Sequence, residues 1–208
     1  MMKLRYGSTS PFVRKVLVTA IENGQDGEIE RVKTNTADPE LGQCNPLNKI
    51  PALVLEDGSV LIDSAVICEF LDTRKGGKLF PKDATRWPTL SRMALCDGIL
   101  DASILRRYEN QRPETLRSIE WDKRQKTKVD QALDALEKEA GSFGDRIDIG
   151  TLTVAIMLDY LDFRFKAEDW RDGGDPNLPI DVAKKKPVLS KTVELDPDPE
   201  AAKGSKKK

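Results

Sequence analysis

Apolar positions in the first quarter of the chain alternate between two spacings. Lys3 to Tyr6 is a short strand-like run, and behind it Phe12, Val13, Val16, Leu17, Ala20 and Ile21 recur at helical spacing. That pattern predicts an amphipathic helix over 11–22. Glu28 to Val32, with Ile29 and Val32 apolar, predicts a second strand, and the three elements together predict a βαβ unit with parallel strands. Ala52 to Leu55 and Val60 to Ile62 form two β-rich runs separated by Asp57-Gly58, a strong hairpin signal. Val66, Ile67, Phe70 and Leu71 then return to helical spacing behind Asp63-Ser64, which suits a helix N-cap.

The pattern changes after Thr73. The stretch 73–88 mixes glycine, lysine and proline without periodicity and predicts a linker, and the chain beyond it has only helical spacing. Helices are expected at Leu90 to Glu109, Ser118 to Ala140 and Ile149 to Phe165, with a last short one at Asp181 to Val193. The helix from Ile149 is apolar on nearly every side, from Leu152 to Phe163, and so is expected to be a central core helix capped by Asp148. Ala94, Gly98 and Ala102 fall at i, i+4, i+8. An interior glycine costs about 1 kcal/mol relative to alanine, so a close helix contact along that stripe is expected. The expected organisation is 1–75, a βαβ-ββα domain; 76–88, a linker; 89–195, an all-helical domain; and 196–208, a disordered tail rich in proline, acid and lysine.

Composition narrows the chemistry. The 34 basic and 35 acidic side chains nearly cancel, so no general pull toward nucleic acid or a lipid surface is expected. No membrane span is expected either, because Asp159 and Asp162 break the longest apolar stretch. The three cysteines, Cys44 in a loop, Cys68 in a helical run and Cys96 beside the small-residue stripe, lack zinc or disulfide spacing. No metal is expected, and the start MMKLRYGSTSPF has no apolar leader core, so a cytoplasmic location is expected. There is no histidine. Ser-His-Asp catalysis and the HExxH metal site are thereby excluded.

The remaining candidate lies at the start of the first helix, where Ser8, Thr9 and Ser10 precede Pro11. Serine before proline is the favoured helix start, so capping alone accounts for the pair. The same helix end carries unsatisfied N-H groups and a macrodipole of roughly half a positive charge, which favours an anion such as a thiolate. Lowering a thiol pKa from about 8.5 to about 6.5 takes roughly 2.7 kcal/mol. A hydroxyl hydrogen bond to a charged group supplies about 1.5–3 kcal/mol, and the helix terminus about 0.3–2 more. Since no cysteine of the chain stands at this position, the thiol would come from a bound molecule.

STSPFVRKV, NPLNKIPALVLEDGSVLIDSAVICEFLD and DIGTLTVAIMLDYLDFR, in this order over roughly residues 3–195, resemble a bacterial cytosolic glutathione transferase with a tau- or omega-like Ser-Pro-Phe motif. The resemblance implies a thioredoxin-like N-terminal domain, an all-α C-terminal domain and a homodimer. It implies reduced glutathione as co-substrate, activated by hydrogen bonding to attack a small hydrophobic electrophile, in detoxification. Ser10 matches the group that bonds the glutathione sulfur, with Thr9 as competitor. Ile50 matches the residue whose backbone meets the cysteinyl part, Pro51 the family's cis-proline, and Lys49 a position that meets the glycine carboxylate. Asp63 and Ser64 match the pair that holds the γ-glutamyl end. Phe12, Arg107 and Tyr108 are placed beside the electrophile, and Phe12 also beside glutathione. Two alternatives stay open: a catalytically silent binding or regulatory module, and a glutathione-dependent reductase, which normally has cysteine where this chain has Ser10. Asp148 and Thr151 exchange the residue types common in the family's capping box.

Overall fold

The computed structural model describes residues 1–144 and 146–168. The expected helix at 181–193 and the tail from 196 lie outside these residues. The described residues divide into two compact units, 1–79 and 80–168.

In the first unit the order is β1 (Met2–Tyr6), α1 (Pro11–Glu22), β2 (Ile29–Lys33), α2 (Pro39–Cys44), β3 (Ala52–Val54), β4 (Val60–Ile62) and α3 (Ser64–Arg74). The four strands lie in the order β2-β1-β3-β4. β1 runs parallel to β2, with Leu4 opposite Arg31, and antiparallel to β3, with Leu4 opposite Leu53. The parallel pair requires the crossover that α1 provides. The β3–β4 pair is the hairpin set by Gly58, whose φ of 84° suits glycine. Leu4 and Leu53 from the sheet, Val13, Val16 and Leu17 from α1, and Ile67 and Leu71 from α3 are fully buried or nearly so. Of the periodic positions of α1, Val13, Val16, Leu17 and Ala20 are buried, whereas Phe12 and Ile21 are half-buried.

α2 is a correction to the expected loop around Cys44, which is the last residue of this helix. With six residues and Leu41 as its one buried side chain, α2 is too short to show a period. Its start carries a signal nonetheless, since the Asp38 side chain accepts from the Glu40 N-H at 2.9 Å and Pro39 follows the cap.

The second unit holds α4 (Arg86–Gln111), α5 (Ile119–Glu139) and α6 (Ile149–Arg164). α4 begins inside the stretch expected to be linker. Pro88 is no obstacle there, because N-H groups of a first turn have no intrahelical acceptor to lose. α6 is buried from Ile149 to Leu158 and again at Tyr160 and Leu161, as a core helix should be. Phe163 departs from the expected core face: it is 48% exposed, with the Arg164 guanidinium 4.1 Å from its ring centroid. The small-residue stripe departs too. Ala102 is buried, but Ala94 and Gly98 are exposed, and a Cβ on Gly98 would meet nothing within 4 Å. No close helix contact at Gly98 exists among the described residues.

The close contact falls instead at Gly150, in the first turn of α6. A Cβ there would stand 2.8 Å from the Thr89 carbonyl oxygen and 3.2 Å from Asp148 Oδ1. Gly150→Ala is therefore expected to destabilise the protein by about 1–3 kcal/mol, although alanine is the better helix former by about 1 kcal/mol. Urea denaturation followed by circular dichroism checks this: the midpoint falls, whereas propensity alone would raise it.

Candidate active site

β1 ends at Tyr6, and the chain turns through Gly7, Ser8 and Thr9 before α1 begins. The Ser10 N-H donates to the Gly7 carbonyl at 3.2 Å, closing the turn. A Cβ on Gly7 would lie 2.7 Å from Ile50 Cδ1, so glycine at this position permits the β1–α1 turn to approach the residue before Pro51. Two of the motifs singled out in the sequence thereby meet.

Ser10 is the N-cap of α1, with extended backbone (φ −80°, ψ 122°). Its Oγ accepts from the Val13 N-H at 3.3 Å, and its carbonyl accepts from the Arg14 N-H at 3.1 Å. A serine hydroxyl has one donor and two acceptor sites. The cap bond occupies an acceptor site and leaves the O-H proton to be donated elsewhere, at the positive end of a helix of 12 residues. Thr9 lies in the turn, half-buried, and its hydroxyl makes no hydrogen bond among the described residues. Phe12, the second residue of the helix, is half-buried, its ring centroid 5.7 Å from the ammonium of the fully buried Lys15.

The second segment is 45–51. Asn45, 2% exposed, closes it on itself: Nδ2 donates to the Lys49 carbonyl at 2.8 Å, and Oδ1 accepts from the Leu47 N-H at 3.0 Å. The Asn45 carbonyl accepts from the Asn48 N-H at 2.8 Å. Lys49 is exposed, and Ile50–Pro51 is cis. The N-H and C=O of Ile50 have no hydrogen-bond partner among the described residues, although the side chain is half-buried. Unpaired backbone groups of this kind are rare away from water, and they suit an extended peptide laid alongside.

The third segment is the start of α3. Asp63 holds φ 70° and ψ 131°, a conformation that costs a non-glycine residue on the order of 1–3 kcal/mol and persists mainly where surroundings or function require it. Its Oδ1 accepts from the Ala65 N-H at 2.8 Å as N-cap, and Oδ2 has no partner among the described residues. Ser64 is buried at the first helical position, and its hydroxyl is unpaired among the described residues. A carboxylate, a hydroxyl and helix-start N-H groups together suit a ligand bearing both an ammonium and a carboxylate.

Arg107 and Tyr108 belong to the second unit, on α4. At this turn Arg106 points inward, bonded to Asp122 at 3.1 Å and Glu168 at 2.8 Å and stacked 4.7 Å from the Phe165 ring centroid. Burial disfavours its charge, but the bonds to Glu168 and Asp122 outweigh that and hold its pKa above the usual value. Arg107 is half-buried and Tyr108 is exposed. Sequence reasoning passed over Tyr160 of α6, which is near enough to feel both. Burial pushes its phenol pKa up, partly opposed by Arg164 and Arg107. Its position inside a uniformly apolar helix gave no separate signal.

Among the described residues no group of three or more His, Cys, Asp or Glu is placed to hold a metal ion, and no helix is long and apolar enough to cross a membrane.

Comparison with known proteins shows the family and the fold. The family description "Glutathione S-transferase, N-terminal domain" matches residues 9–74, and "Glutathione S-transferase, C-terminal domain" matches residues 119–178. The Uncharacterized GST-like protein YibF of Escherichia coli (strain K12) is 33% identical over 174 residues, covering 81% of this chain and 86% of that protein. A crystal structure of a glutathione transferase family member from Pseudomonas fluorescens Pf-5, with bound glutathione, is 38% identical. It covers 92% of this chain and 98% of its own, with a TM-score of 0.88. A glutathione S-transferase from Methylobacillus flagellatus KT, with glutathione bound, is 35% identical with the same coverage and a TM-score of 0.84. The fold is a thioredoxin-like four-stranded mixed sheet with helices, followed by a helical C-terminal domain. The chain belongs to the glutathione S-transferase family.

Proposed function

We propose that the protein is a glutathione transferase in which Ser10 donates its hydroxyl proton to the sulfur of bound glutathione and so holds the thiolate. The observation that carries this reading is the division of labour within one side chain: the Ser10 cap bond to Val13 uses an acceptor site, so capping and thiolate stabilisation coexist. The glutathione-bound relatives support it.

In this reading the Ile50 backbone groups pair with the cysteinyl unit beside Pro51, Lys49 meets the glycine carboxylate, Asp63 takes the γ-glutamyl ammonium, and Ser64 takes the adjoining carboxylate. Thr9 is the secondary hydroxyl near the sulfur. Phe12 faces a small hydrophobic electrophile. The thiol proton leaves to solvent, the sulfur lone pair forms the C–S bond, and the displaced group, for an aryl halide the halide ion, departs with its electron pair. The chain supplies position and anion stabilisation. A cytoplasmic homodimer acting in detoxification completes the proposal.

Asp63 offers a test that leaves the helix cap in place. Asp63→Asn keeps an acceptor for the Ala65 N-H but removes the charge facing the ligand's ammonium. The dissociation constant for glutathione in a calorimetric titration is expected to rise about tenfold or more, the worth of one charge-assisted bond. An unchanged constant contradicts the role given to Asp63.

A further inference from the structure

Asn45 is the one buried side chain in an otherwise exposed turn, since Pro46, Leu47, Asn48 and Lys49 all face solvent. Turn asparagines ordinarily bond a backbone N-H two residues on, as Asn45 does with Leu47. The bond from Nδ2 to the Lys49 carbonyl is additional, and it reaches the peptide group that joins Lys49 to Ile50. That peptide is trans, so its carbonyl and its N-H point in opposite directions across one rigid plane. With the Lys49 carbonyl held against Asn45, the Ile50 N-H faces away from it, and this N-H has no partner among the described residues.

We infer that Asn45 is a positioning residue of the glutathione site: by gripping the Lys49 carbonyl it aims the Ile50 N-H at the cysteinyl unit of the bound tripeptide. The inference rests on the transferase reading above. Asn45 touches no ligand in this scheme and acts through one peptide plane. The bond to Leu47 shapes the turn, while the bond to Lys49 sets the direction of the donor.

The two bonds separate chemically in Asn45→Asp. The carboxylate keeps an acceptor for the Leu47 N-H but sets an oxygen against the Lys49 carbonyl, so the peptide plane rotates and its N-H leaves the ligand. Calorimetric titration of the full chain with reduced glutathione is expected to show a dissociation constant raised about tenfold at an unchanged stoichiometry. A role limited to folding would instead lower the stoichiometry of competent protein and leave the constant as in wild type; that result overturns the inference. Asn45→Ala, which removes both bonds without introducing charge, is expected to raise the constant likewise. Should neither variant fold, hydrogen exchange at the Ile50 amide of the wild-type protein remains as a check: a rate unchanged by added glutathione overturns the inference. If wild-type protein takes up no glutathione at all, the transferase reading fails first and the inference goes with it. Normal wild-type binding with unaffected variants removes the inference alone.

Discussion

Ser10→Ala is expected to lower kcat/KM for conjugation of glutathione to an activated aryl halide by about tenfold to a hundredfold at neutral pH. The hydroxyl's bond to a charged sulfur is worth about 1.5–3 kcal/mol, and each 1.36 kcal/mol is tenfold in rate. The loss shrinks as pH rises, because free thiol ionises near 8.5 in any case. Alanine also removes the bond to the Val13 N-H, at a cost of about 0.5–2 kcal/mol in stability. Ser10→Gly separates the two effects, since glycine is a tolerable N-cap and costs only a few tenths of a kcal/mol there. Rates for the glycine variant should fall as far as for alanine while its urea midpoint stays near wild type. Thr9→Ala, which touches no cap bond, should change the rate by less than about threefold, the difference expected if Ser10 supplies most of the stabilisation. A Thr9→Ala loss as large as that of Ser10→Ala would transfer the sulfur contact to Thr9.

The largest expected loss of stability comes from Asp148→Ala, at about 2–4 kcal/mol, summed from the cap and the polar groups left unpaired. Asp148 is 2% exposed and serves two elements. Oδ1 accepts from the Thr151 N-H at 2.9 Å, and Oδ2 accepts from the Thr89 hydroxyl of α4 at 3.2 Å. In return the Asp148 N-H donates to Thr151 Oγ1 at 3.1 Å. Alanine strands the Thr151 amide and the Thr89 hydroxyl in a buried setting at the start of the central helix. Asp148→Asn retains a good cap and should cost only about half as much. Equilibrium urea unfolding followed by circular dichroism measures both, and equal midpoints for Ala and wild type would show that the buried box contributes nothing.

Helix starts were the most legible features of the sequence, because their signals are local. Ser10-Pro11 and Asp63-Ser64 begin helices where the side chain and the missing N-H say they should. Asp148 and Thr151, with residue types exchanged, still make both bonds of a capping box, since a carboxylate can accept from the N3 amide and a hydroxyl from the cap amide. The Asp57-Gly58 hairpin was legible for the same reason. The start of α2 escaped although its Asp38-Pro39 signal is local, because six residues show no period; the other misses depended on tertiary surroundings. Gly98 had the spacing of a contact stripe yet faces open space, whereas Gly150, against the Thr89 carbonyl, carried no pattern to mark it. Phe163 continued the apolar run of α6 but lies where that helix emerges from the core. Within the candidate site, Ser10, Asp63 and Ser64 are legible as helix starts and Ile50 as a proline junction. Asn45 is not, because a turn asparagine that orients a neighbouring peptide has the same sequence as one that merely makes a turn.

The thiol of bound glutathione reports the central claim directly. Ultraviolet difference absorbance of the thiolate, recorded across pH for the binary complex with wild-type protein and with Ser10→Gly, gives its ionisation in the site. The expected result is an apparent pKa near 6.5 in wild type, about two units below the ordinary thiol, and a value restored most of the way toward about 8.5 in the glycine variant. Glutathione that binds wild-type protein but ionises near 8.5 would contradict thiolate stabilisation by Ser10 and leave a site that holds the tripeptide without activating it.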